Sequence, residues 1–327
     1  MPDAVADTGW DDYWGGTREA APHRLGRHLE EELEGFWAKI FDGALQGSKA
    51  QRLLDAGCGN GAVTRFALAA AGRAGRPAPL VHGVDRSLAA LKDLLHHFPS
   101  VSPVAADSAR IPFPDGCFDI VTSQFGLEYG GGEAFSEASR LVAPGGTLAA
   151  AIHLKGGGLH RECAVNLQAV TVVTEGGLLP AARDVFRESH GLARGKGSKG
   201  AFRRANEALA AAVRRVDEVL LNWGEGVAGG AVHRVYADIA HMYGRRGAYD
   251  PEEVSRWAEA SERELTAYAS RMSAMVEAAI DPAGMDAIVE RVSSCGLSVR
   301  IREELRGGAA MQEPVAWILV CERVPAR

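Results

Sequence analysis

The chain has 327 residues, 46% of them hydrophobic and 24% charged, with a formal net charge of -6. That length and apolar content suffice for one large domain with an insertion or for two modest domains. The acidic balance argues against general nucleic-acid affinity, which depends on a basic field. No apolar run approaches the length of a membrane span. Residues Met1 to Asp7 lack the basic start and apolar core of a signal peptide, so the cytoplasm is the expected location. The five cysteines, at 58, 117, 163, 295 and 321, show no C-x-x-C spacing or Cys/His clustering. Reduced thiols are expected, and no metal site.

An aromatic arm, Trp10-Asp11-Asp12-Tyr13-Trp14, precedes a predicted helix from Leu25 to Phe41. Residues 52–56 then read as a buried strand, and Asp55-Ala56-Gly57-Cys58-Gly59-Asn60-Gly61 as a sharp turn into a helix near 62–73. Glycine lets a backbone turn tightly and approach a ligand without a Cβ in the way. The following helix N-terminus adds a positive dipole end. This spacing admits two readings, because Gly57, Gly59 and Ala62 also satisfy the dinucleotide fingerprint G-x-G-x-x-G/A.

Further strands are predicted at 80–84, 101–105, 118–123 and 147–153, alternating with helices near 87–97 and 132–142. Such alternation specifies an α/β fold with a doubly wound, mostly parallel sheet. Ligands of such sheets lie at the carboxyl ends of the strands. Asp85 closes the second strand there, Asp107 follows the third, and Ser123-Gln124-Phe125-Gly126-Leu127-Glu128-Tyr129 follows the fourth. Residues 282–295 read as a helix, and 297–303 and 315–321 as two closing strands.

The segment 155–281 is helical in period. Leu209, Val213, Val216 and Leu220 share one face, as do Val254, Trp257, Leu265, Tyr268, Met272 and Met275. Gly176-Gly177 and Gly195 to Gly200 break it. Around the second break lie Arg183, Arg187, Arg194, Lys196, Lys199, Arg203 and Arg204, with few acids nearby. They form either a solvated loop or a steering surface for an anionic acceptor.

Four segments together resemble class I S-adenosylmethionine-dependent methyltransferases. They are the Asp55-x-Gly57-x-Gly59-x-Gly61 turn, the strand ending in Asp85, Asp107 with the Pro112-Phe113-Pro114-Asp115 run into Phe118-Asp119, and Pro144-Gly145-Gly146 before strand five. The resemblance implies a seven-stranded sheet with an antiparallel last strand and S-adenosylmethionine as cofactor. Its implied contacts are Asp55, Gly57, Cys58, Gly59, Asn60, Gly61, Asp85, Arg86, Asp107, Ser108, Ala109, Gln124 and Phe125. Asp85 would accept the ribose hydroxyls and Asp107 the adenine amino group. The core would be 51–154 and 282–327, residues 1–50 a helical arm over the cofactor, and 155–281 an acceptor-binding helical lid that excludes water.

On the acceptor side, Gln124 would orient the substrate, and Glu128 is either a base or a surface acid at a helix start. His153, at the end of strand five, is either a general base, with a reference pKa of about 6.5, or a structural hydrogen-bonding residue. Tyr13 is the third source, its aromatic face able to attract a sulfonium. His160, His233 and His241 are weaker candidates. The expected function is methyl transfer to a small molecule or short peptide, at oxygen in preference to nitrogen. Protein methylation and non-catalytic cofactor sensing are the alternatives. The helix faces of the insertion would also serve a homodimer.

Overall fold

The computed structural model describes residues 10, 14, 26–45, 50–306 and 313–325. The chain divides into two compact units, one built on Arg24–Glu162 and Ala274–Arg327, the other on Cys163–Ser273.

The first unit opens with α1 (Gly26–Ala44), then alternates β1 (Arg52–Ala56), α2 (Ala62–Arg73), β2 (Leu80–Asp85), α3 (Leu88–His97), β3 (Ser102–Ala105), β4 (Phe118–Gln124), α4 (Gly131–Leu141) and β5 (Val142–His153). The strands form one seven-stranded sheet with the order β3-β2-β1-β4-β5-β7-β6, where β6 is Leu297–Arg306 and β7 is Pro314–Arg323. Pairings from β3 through β5 are parallel, and β7 lies antiparallel to both β5 and β6. Helices can cover both faces of such a sheet, and four of the five residues of β1 are accordingly buried.

One face carries a core of Leu54, Val121, Leu148 and Leu319 packed with Phe135, Ala138 and Leu141 of α4. Met285, Ile288 and Val292 complete it from the helix at Pro282–Ser294. That helix starts where Asp281 accepts the Gly284 N–H and Pro282 supplies a preset φ. Elsewhere α1 packs on α2, with Trp37 and Phe41 fully buried.

The fifth strand begins earlier than its sequence suggests. It runs from Val142, not 147, because Ala143-Pro144-Gly145-Gly146 forms a bulge inside the strand, between the Phe118–Val142 and Ile120–Thr147 pairings. Gly146 must be glycine there, since a Cβ would lie 2.8 Å from the Asp119 carbonyl oxygen.

The second unit is helical throughout. Its elements are α5 (Gly158–Glu175), α6 (Leu178–Ala193), α7 (Lys199–Trp223), α8 (Ala231–Gly244) and α9 (Pro251–Ala278), the first and last of which continue into the other unit. Both predicted breaks separate helices, although Lys199 and Gly200 of the second already belong to α7. Leu209, Ala212, Val216 and Val219 form the deepest stripe of α7, with Val213 and Leu220 partly buried beside it. The basic surface is better compensated than its sequence suggests: Arg183 pairs with Glu259, Arg187 with Asp184 and Arg203 with Glu207. The acids are a helical turn away or on another helix, where sequence neighbours do not reveal them.

Phe135 is 1% exposed in the centre of the sheet's core. Replacing it with alanine leaves a large cavity and is expected to cost about 3–5 kcal/mol. Urea denaturation followed by circular dichroism measures that loss.

Candidate functional site

The turn after β1 is tied to its neighbours by backbone hydrogen bonds. Gly57 and Cys58 both donate to the Val84 carbonyl, at 2.8 and 3.0 Å, and Gly61 donates to the Cys58 carbonyl at 2.9 Å. Gly57, Gly59 and Gly61 have φ of 68°, 50° and 93°, a region that side chains with a Cβ rarely enter. Gly57 also lies against the turn after β4, where a Cβ would come 2.8 Å from the Gly126 Cα. Two strand ends therefore approach backbone to backbone.

Asp85 joins the two turns beside this loop. Its Oδ2 accepts the Gly59 N–H and its Oδ1 the Ser87 N–H, both at 2.9 Å. Ser87 in turn caps α3 by accepting the Ala90 N–H. Asp107 is exposed, its Oδ1 accepting the Ala109 N–H at 2.8 Å, and it borders a depression that Arg110, Ile111, Pro112, Glu137 and Arg140 also line. Arg140 binds the carbonyls of Ile111 and Phe113, and the Glu137 carboxylate that accepts the Ile111 N–H. The Arg140 guanidinium holds the Glu137 carboxyl below its ordinary range.

The other predicted contacts range from buried to exposed. Asp55 has no exposed surface; its Oδ2 accepts the Thr64 hydroxyl at 2.9 Å, so it braces the turn from beneath. Cys58 is 6% exposed, and burial pushes its thiol well above the ordinary range. Asn60 and Arg86 lie exposed beside the loop, and Ser108 stands against Gly130. Phe125, at φ 56°, lays its ring against His153, with centroids 4.4 Å apart. Gln124 accepts a 2.7 Å hydrogen bond from the Trp37 indole, which commits its carbonyl oxygen.

Glu128 is not a surface acid. It is 5% exposed, and its Oε1 accepts from both the backbone N–H of His153, at 2.9 Å, and the ring Nδ1, at 2.7 Å. Tyr129 meets the same imidazole edge-on at 5.9 Å, and Trp10 meets Tyr129 in the same way at 5.7 Å. Ile280 fixes the end of β5 by donating its N–H to the His153 carbonyl. Tyr13 lies outside the described residues, but Trp14 does not: a Cβ on Gly59 would come 2.9 Å from its ring. His160 stands on the first turn of α5, and burial is the main cause that keeps its imidazole below the ordinary pKa. His233 and His241 lie apart on α8. No metal-holding cluster of His, Cys, Asp and Glu occurs among the described residues.

Glycine loop, Asp85 and Asp107 therefore stand at the ends of adjacent parallel strands. Residues 54–150 match the family model described as a methyltransferase domain. This segment is similar to methyltransferase domains, the class its motifs resemble.

Two curated relatives are a demethylmenaquinone methyltransferase of Corynebacterium kroppenstedtii and a 2-phytyl-1,4-naphtoquinone methyltransferase of Thermosynechococcus vestitus. The first is 34% identical over 118 residues, 36% of this chain and 48% of the relative. The second is 30% identical over 131 residues, 38% of this chain and 56% of the relative. The chain thus spans about half the length of the curated relatives it matches. Among solved structures, an amino pentose methyltransferase from Micromonospora echinaspora is 26% identical, with a TM-score of 0.32 over 38% of this chain and 52% of that one.

Sequence reasoning missed Thr64, Gly126 and Trp37. Only Gly126, two residues past the end of strand four, carried a readable signal, a turn residue at a strand's carboxyl end.

Burial, more than any charge nearby, pushes the Asp55 carboxyl from 3.8 up to about 7. The folded state therefore holds this proton more tightly than the unfolded chain does. Its stabilising contribution is complete below about pH 4 and declines as pH rises to about 7. Asp55→Asn should gain stability relative to wild type across that window, by a few kcal/mol in order of magnitude. Urea midpoints at pH 4 and pH 7.5 read this difference; a constant gap between the two proteins would contradict it.

Proposed function

We propose that this chain transfers the methyl group of S-adenosylmethionine to a small-molecule acceptor, at oxygen in preference to nitrogen. The observation that carries this reading is the joint placement of the methyltransferase-domain loop, Asp85 and Asp107 on three consecutive strand ends. Backbone at Gly57 to Gly61 leaves room for close approach of a ligand. Asp85 would accept the ribose hydroxyls beside its two backbone hydrogen bonds, and Asp107 the adenine amino group, with Ser108 and Ala109 alongside. The names of the curated relatives, both quinone methyltransferases, favour a bounded ring acceptor over a protein.

When bound, the cofactor supplies a methyl group already activated on a sulfonium. The chain's own task is alignment and exclusion of water, which can supply up to about 7–11 kcal/mol of the barrier for well-oriented reactants. Trp14, whose ring lies over Gly59, offers an aromatic face worth about 0.5–2 kcal/mol to a cation nearby. Gln124, with its oxygen held by Trp37, keeps an amide whose remaining donors would orient an acceptor. His153 and Glu128 form the buried polar pair at the same strand ends.

Isothermal titration with S-adenosylhomocysteine tests the cofactor assignment. Wild type should bind with micromolar affinity, and Asp85→Ala should weaken binding by at least about tenfold through lost charge-assisted hydrogen bonds. Gly59→Val should abolish it, because a side chain there meets the Trp14 ring. Unaltered affinity in both folded variants would overturn the assignment.

A further inference from the structure

Glu128 Oε1 receives two N–H groups from one residue, the backbone amide and Nδ1 of His153. A carboxylate oxygen only accepts, so the ring proton must sit on Nδ1. In the neutral imidazole, Nε2 is then a bare lone pair. The two side chains are 3% and 0% exposed. Phe125 on the ring face and Tyr129 at its edge restrict rotation. Tautomer and direction are both fixed before any ligand arrives.

Two atoms of this pair, His153 Nε2 and Glu128 Oε2, are buried with no hydrogen-bond partner among the described residues. Both are acceptors in that state. Buried polar atoms are nearly always paired, and leaving one unpaired costs the desolvation of the group. A carboxylate, phosphate or thiolate would bring further lone pairs against them. A ligand that satisfies them has to bring a donor.

Resting on the methyl-transfer reading above, we propose that the acceptor is a neutral hydroxylated aromatic ring. His153 Nε2 takes its hydroxyl proton, and Glu128 is the positioning residue that holds His153 in the Nδ1–H tautomer. The O–H bond breaks with its proton passing to Nε2 and its electron pair staying on oxygen. That oxygen bonds the methyl carbon as the carbon–sulfur pair returns to sulfur. The imidazolium stands against the Glu128 carboxylate until its proton passes to water. Phe125 and Tyr129 give the ring apolar walls beside the base. An anionic acceptor is the class this site disfavours.

Nitrogen-15 NMR of histidine-labelled protein tests the proposal without turnover, with His153→Gln used to assign the resonance. At neutral pH wild type should show protonated Nδ1 and unprotonated Nε2, and Glu128→Gln should relax this to a tautomer mixture. With S-adenosylhomocysteine present, 2-naphthol should shift the Nε2 resonance. 2-Naphthoate, the same ring bearing a carboxylate, should bind about tenfold more weakly or worse. A doubly protonated ring in wild type, or stronger perturbation by naphthoate than by naphthol, would overturn the proposal. The wild-type tautomer and the naphthol–naphthoate comparison both remain decisive if Glu128→Gln fails to fold. Failure of the methyl-transfer reading shows separately, as absent S-adenosylhomocysteine binding beside an intact Nδ1–H signal.

Discussion

The Asp85 carboxylate is the joint of the site. One oxygen holds the Gly59 N–H and the other the Ser87 N–H, so a single side chain sets the glycine loop against the start of α3. Without it the loop would present its backbone to solvent at the carboxyl edge of a parallel sheet, where strand geometry alone does not fix a turn. Hydrogen bonds from neutral N–H groups to a carboxylate are stronger than those between neutral partners. The residue best suited to accept hydroxyls from a nucleoside is thus the one that builds the surface on which the nucleoside would lie. Under the proposed function, structural and binding roles would coincide in Asp85, whereas Asp55 is committed beneath the loop and Asp107 stands exposed.

The second constraint is steric. Gly57 and Gly126 bring the turns after β1 and β4 within touching distance of each other's backbone, with no side chain interposed. This closeness follows from sheet order, since β4 adds directly to β1 in register with Leu53, Leu54 and Asp55. Phe125, one residue before Gly126, is bent to φ 56° and turned toward His153. A non-glycine residue held in that region stores strain, which persists where surrounding structure enforces it. Here the Ala151 carbonyl accepts the Phe125 N–H and keeps the turn against β5.

Much of the fold was legible because its signals are local. Short apolar stretches marked β1, β2 and β4, the first two running into Asp55 and Asp85, and helical period marked α2 to α4 and the helices of the second unit. The start of β5 was not legible, since Pro144-Gly145-Gly146 reads as a turn in one dimension and becomes a bulge only when β4 pairs on both sides of it. The residues expected on the cofactor side do gather around one loop, but what each holds in the fold was hidden. Whether a carboxylate faces outward or braces a loop depends on Thr64, nine positions from Asp55 and unremarkable in sequence. On the acceptor side, Glu128 and His153 were each found singly. Their pairing spans 25 residues and arises from the β4–β5 register, so no local pattern could reveal it.

That pairing also explains why a polar pair stands where apolar side chains would pack. Buried charge or dipole seldom improves stability over a hydrophobic replacement of the same shape. Removing both partners would be tolerable for a core, while removing one would leave the other unsatisfied. Around the pair, Leu127 and Ile152 are fully buried, so the site has ample apolar material with which to have filled the space. An ion-capable pair with two buried, unpartnered acceptor atoms is costly for folding and suited to taking a proton. The exposed carboxylate of Asp107 raises no such question, because water satisfies it. Under the proposed function, the cost at Glu128 and His153 would be offset by the chemistry the pair performs at the end of β5.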